Sequence, residues 1–186
     1  MNAFQIDLLA FTLGSLVVLW WSRKALRRPG GHGFYRFFAW EGILGLIVLN
    51  RGPWGEHPDS WYQSLSWLLM LLSIFLVVHG VRALRQQGTA SPARGDDSLY
   101  EFEKTTTLVT GGIFQYIRHP MYSSLLALTW GCYFQSPSWP GTAVAAVASG
   151  FLLLTALTDE KECLAYFGAD YAAYMQRTRR FIPFLF

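Results

Sequence analysis

The chain has 186 residues; 52% are hydrophobic, 17% aromatic and only 15% charged. Those shares exclude a disordered chain, a collagen-like repeat, a disulfide-rich secreted scaffold and an ordinary water-soluble domain. About 97 apolar residues make roughly five segments of about 19 residues, the length that crosses a bilayer. The expected class is therefore all-α: a polytopic membrane helical bundle over residues 1–186, with little room for a separate soluble domain.

In chain order, the apolar runs predict spans at about 4–21, 34–50, 64–81, 121–135 and 141–158. The first run has no basic residue before it and Arg23, Lys24, Arg27 and Arg28 after it. A secretory signal carries its positive charge first, so this run reads as a retained span with its N-terminus outside. The second run contains Glu41, and His79 lies near the end of the third; ionisable groups there usually face protein or a cavity. A polar stretch at 86–98, rich in Gly, Pro and Asp, reads as a loop. Ser136-Pro137-Ser138-Trp139-Pro140 leaves room only for a tight helical hairpin between spans four and five. The fifth run holds Ala143, Ala145, Ala146, Ala148, Ser149 and Gly150, small residues that let helix backbones approach closely in lipid.

The basic residues test this division. Only Arg51 follows span two and none follows span four; the others follow spans one, three and five, so one side carries nearly all of the 15 basic residues. The positive-inside rule then puts the N-terminus outside and the C-terminus in the cytoplasm, with the plasma (inner) membrane as the expected location. The net charge of +3 is accounted for by anionic lipid headgroups, and nucleic acid is not expected as a partner. Cys132 and Cys163 stand apart, with no CxxC and no clustered histidines, so no metal site is expected from the spacing.

Two cytoplasmic segments, 99–122 and 159–186, could close over a pocket at the membrane surface. In the first, Gly111-Gly112 allows a tight turn, and Pro120 suits the first turn of a helix. The start of that helix would present amides to an anion, with Arg118 and His119 beside it and Tyr122 one turn in. The same residues could equally mark the membrane interface. In the second segment, Asp159, Glu160 and Glu162 end an apolar helix, against its dipole. Binding a cation and forming a solvated face are equally good accounts of them. Tyr171 and Tyr174 share one helical face, as expected of an amphipathic helix lying on the cytoplasmic surface.

Three groups of residues carry a family resemblance. They are Leu108-Val109-Thr110-Gly111-Gly112-Ile113-Phe114; then Arg118-His119-Pro120-Met121-Tyr122; then Asp159-Glu160 followed by Phe167-Gly168, Tyr171, Tyr174 and Ile182-Pro183. In order and spacing they resemble the membrane methyltransferases of the isoprenylcysteine carboxyl methyltransferase and phospholipid methyltransferase group. The resemblance covers about residues 99–186. It implies S-adenosylmethionine as cofactor, held at the cytoplasmic membrane face by Thr106, Thr107, Leu108, Val109, Phe114, His119, Pro120, Met121, Tyr122 and Asp159, with Arg118 and Glu160 as catalytic positions. It further implies a lipophilic acceptor arriving from the bilayer. The chain departs from the family at Phe114, Ser124 and Thr155. The prenylcysteine enzymes have an arginine at the position of Thr155, and a carboxylate acceptor would want that cation. An amine, a thiol or another lipophilic acceptor is left open, and a non-catalytic accessory protein keeping the same scaffold is the alternative.

Overall fold

A computed structural model describes residues 2–52, 54–88 and 105–185. Residues 99–104 of the segment 99–122, and residues 89–98 of the polar loop, fall outside the described residues. Six α-helices follow in order: α1 (Ala3–Ser22), α2 (His32–Leu49), α3 (Trp61–Gln87), α4 (Pro120–Phe134), α5 (Trp139–Phe167) and α6 (Ala169–Arg177). Short 3-10 turns occupy Ala25–Arg27 and Gly112–Gln115. The described residues are thus all-helical, apart from an isolated parallel bridge between Ile117 and Arg179.

The helix starts are encoded locally. Asn2 and Gln5 form a capping box, each side chain accepting the other's backbone N–H at 2.9 and 3.0 Å. The Ser138 hydroxyl accepts the Gly141 N–H at 3.2 Å, and Pro140 occupies the first turn, where no amide is needed. Pro120 opens α4 in the same way.

Each predicted span coincides with a helix, but α3 and α5 run well beyond their apolar stretches. Hydropathy marks where a helix leaves the lipid; it does not mark where the backbone stops being helical. α5 therefore continues through Asp159, Glu160 and Glu162 to Phe167. Among the described residues three helices, α1, α3 and α5, are long and apolar enough to cross a membrane. α4, with 15 residues, rises about 22 Å at 1.5 Å per residue, short of a hydrocarbon core of about 30 Å. α2 carries His32, Arg36 and Glu41 in its 18 residues.

The bundle packs mainly as α2 on α5 and α3 on α4. Ala145, Ala148 and Leu152 are fully buried on α5. A Cβ on Gly42 would lie 2.8 Å from the Ala148 Cβ, so of the small residues of the fifth span it is the buried Ala145 and Ala148 that serve close helix contact. At the far end of α4, Ser66 donates to the Gly131 carbonyl at 2.6 Å and Asn50 to the Cys132 carbonyl at 2.8 Å. α1 buries no residue of its own and rests on α2. There Ser15 donates to Glu41 at 2.5 Å, which gives that acidic residue an interhelical partner. His79 bonds the Phe75 carbonyl of its own helix at 2.8 Å.

Gly168, with φ of +57°, ends α5 in a conformation closed to most other residues and turns the chain into α6. The tyrosine face of α6 packs on the protein itself. Tyr171 and Tyr174 are buried against Ala83, Val109 and Phe114, because the chain's own apolar groups cover them. Burial pushes both phenols above their ordinary values.

Candidate functional site

The site forms where the start of α4 meets the end of α5. Residues 116–119 run beside 179–180: Arg118 donates its N–H to the Arg179 carbonyl at 2.7 Å and His119 to the Arg180 carbonyl at 3.1 Å. The C-terminal segment is thereby fastened to the turn that launches α4. Ser123 adds a bond to the Phe181 carbonyl at 3.0 Å.

His119 precedes Pro120 and is buried. Its Nδ1 lies 3.4 Å from Asp159 Oδ2 and its Nε2 lies 3.4 Å from Glu160 Oε1. Burial alone would lower its pKa, but the two carboxylates outweigh that effect and raise it above the ordinary value. Tyr122 stacks on the His119 ring at 5.2 Å and donates its hydroxyl to Asp159 Oδ2 at 3.2 Å. Asp159 also accepts from the Cys163 thiol at 3.6 Å, one turn further along α5.

Glu160 points the other way. Arg180 grips it through two nitrogens at 3.1 and 2.8 Å, and Arg118 donates to it from Nε at 2.9 Å. Arg118 further donates to the Thr178 carbonyl at 2.5 Å and the Met175 carbonyl at 3.2 Å. The cluster is nearly dry, with side chains 5% exposed at Glu160 and 8% at Arg118. It binds α4, α5 and the C-terminal segment together.

A cavity of about 110 Å³, partly open to solvent, adjoins this cluster. Of the residues the sequence pointed to, Leu108, Val109, Phe114, Arg118, His119, Pro120, Met121, Tyr122 and Asp159 line it. Thr106, Thr107 and Glu160 are not on its wall. Leu84, Thr105, Cys163, Phe167, Tyr171 and Tyr174 line it as well. Helical spacing could have pointed to two of these, since Cys163 and Phe167 follow Asp159 at i+4 and i+8 on one face of α5. Leu84 and Thr105 carried no such signal. Tyr174 donates to the Phe114 backbone carbonyl at 2.6 Å, a bond indifferent to the Phe114 side chain. Thr155 is fully buried, and its hydroxyl bonds the Phe151 carbonyl at 2.7 Å within α5.

The cavity thus combines a carboxylate, the start of a helix with its amides, and an apolar wall. The match to known proteins agrees with that combination. Residues 61–167 match the model of the phospholipid methyltransferase family, more than half of the chain, and the chain belongs to that family of membrane methyltransferases. It is 28% identical to a methanethiol S-methyltransferase of Crocosphaera subtropica over 89% of the chain and 66% of that protein. It is 24% identical to a methanethiol S-methyltransferase of a Pseudomonas species over 79% of the chain and 54% of that protein. It is 34% identical to the cobalt-zinc-cadmium resistance protein CzcN of Cupriavidus metallidurans over 76% of the chain and 58% of that protein. The chain therefore spans somewhat less than two thirds of each of these relatives. No solved structure matches it.

Proposed function

We propose that the protein transfers a methyl group from S-adenosylmethionine to a small lipophilic acceptor at the cytoplasmic membrane face. The observation that carries this reading is the juxtaposition in one cavity wall of Asp159, Tyr122, His119 and the N-terminus of α4, opposite Leu84, Val109 and Phe114. The residues fit the cofactor. Asp159 is placed to receive an ammonium, the start of α4 a carboxylate, and the apolar wall a purine. When bound, the cofactor supplies an already activated methyl group on a sulfonium. What the chain has to do is hold both partners in line and keep water out.

An apolar groove between α3, α4 and α5 supports delivery of the acceptor from the lipid. Leu69, Leu72 and Trp130 line it, and it reaches Ser123 and Phe181. The Phe181 ring is 6.3 Å from that of His119, so the groove adjoins the site. The names of two relatives make a thiol the first acceptor to try, and the buried Thr155 offers no cation for a carboxylate.

The experiment is incubation of detergent-purified protein with methyl-labelled S-adenosylmethionine, using methanethiol in one arm and total membrane lipid in the other. Labelled dimethyl sulfide or labelled lipid is expected. A folded protein that binds S-adenosylhomocysteine but labels neither would favour the non-catalytic accessory reading. No binding of S-adenosylhomocysteine would overturn the cofactor assignment.

A further inference from the structure

The cavity and the apolar groove are separate spaces whose linings share no residue among those described. The groove is the larger, about 610 Å³ against about 110 Å³. It is open on its outer side, where Leu72 is 43% exposed. Ser123, Leu126, Leu153 and Phe181 line it on the side of the site.

A small packed group stands between the two spaces. Tyr122 of the cavity wall, Ala156 and Phe181 form one buried cluster, and Leu126 and Leu153 of the groove pack against it. The Phe181 ring lies 6.3 Å from the His119 ring. Its backbone is held in place. The Ser123 hydroxyl is 3.0 Å from both the Phe181 and the His119 carbonyls, which ties Phe181 to the residue that launches α4. The two preceding carbonyls, of Arg179 and Arg180, accept the Arg118 and His119 amides.

We propose that Phe181 determines which acceptor the site takes: its ring is the partition between groove and cavity. It admits a slender nucleophile, such as an unbranched primary alkyl thiol, and shuts out branched and aromatic ones. This rests on the methyl-transfer reading above. In that reaction the accepting atom must come within about 3–3.5 Å of the transferred methyl carbon. An acceptor lodged in the groove therefore has to extend past Tyr122 and Phe181. Tyr122 is fixed by its bond to Asp159 and its stacking on His119. Phe181 has no polar atom in its ring, so packing alone sets where the ring sits, and its bulk sets the width of the passage.

The test has two arms, and one of them does not depend on methyl transfer. In the first, butanethiol and benzyl thiol are compared as acceptors. Phe181→Ala should raise kcat/KM for benzyl thiol relative to butanethiol by at least about ten-fold, with Phe181→Leu between. In the second, Cys163 on the cavity wall reports access. Protein in phosphatidylcholine vesicles is treated with a lipid-soluble or a charged, water-soluble maleimide, and labelling of the Cys163 peptide is followed by mass. The ratio of the two rates should rise several-fold in Phe181→Ala. An unchanged ratio in both folded variants means that the groove holds lipid and does not join the cavity, which overturns the proposal. Unchanged acceptor preference in active variants also overturns it. Should Phe181→Ala unfold, Phe181→Leu decides by the same outcomes. A wild type that binds no S-adenosylhomocysteine defeats the cofactor assignment, while the maleimide arm still decides whether Phe181 separates the two spaces.

Discussion

The Tyr122 hydroxyl donates to Asp159 Oδ2 at 3.2 Å, joining the first turn of α4 to the polar end of α5. The two residues are 37 positions apart in the chain. With His119 also at Oδ2 and the Cys163 thiol at Oδ1, the contact sets the orientation of a carboxylate that still borders the cavity. A ligand ammonium would meet a carboxylate whose orientation is already set.

Asp159→Asn should therefore weaken S-adenosylhomocysteine by about ten-fold or more, the effect of removing a charge-assisted bond. Binding of 5′-methylthioadenosine, which lacks the amino-acid portion, should change little. Calorimetry with the two ligands separates loss of that contact from general damage to the cavity. Tyr122→Phe should give a smaller loss, of about 1 kcal/mol, because only one neutral donor disappears.

Glu160 makes a different prediction, because it is turned from the cavity. Glu160→Gln leaves Arg118 and Arg180 without their shared anion in a nearly dry cluster. Breaking a buried pair by removing one partner costs about 3–5 kcal/mol. The midpoint of thermal unfolding in detergent should fall by several degrees, more than for Tyr122→Phe.

His119 and His32 link stability to pH. Burial lowers the pKa of each, and acidic partners more than reverse it, so each folded value lies above the ordinary 6.5. A raised folded pKa means that the folded state holds the proton more tightly than the unfolded state. The contribution is complete below pH 6.5 and is lost as pH rises through the folded values. Thermal stability should thus decline on the alkaline side of pH 6.5, and His119→Asn should flatten part of that slope.

The α2–α5 contact is tight enough to test by enlargement. A Cβ at Gly42 meets Ala148 at 2.8 Å, well inside normal contact. Gly42→Val should cost about 1–3 kcal/mol through overpacking. Gly150 has nothing within 4 Å of its Cβ position, so Gly150→Ala should leave the unfolding midpoint nearly unchanged.

By itself the sequence determined what is local or compositional. Apolar runs located five helices, Pro120 and Ser138 marked two of their starts, and the order of short motifs identified the cavity's main wall. Such features depend on neighbours within a helical turn or two, so they survive being read in one dimension. The ends of α3 and α5 did not, because helicity outlasts hydropathy.

Only the tertiary structure decided between Asp159 and Glu160. Adjacent residues on a helix point about 100° apart, and the sequence cannot say which direction holds the cavity and which holds Arg118 and Arg180. The same reason hid His32 beside Glu162 and turned the α6 tyrosines inward. Each depends on which helix lies opposite, and packing of helices far apart in the chain settles that.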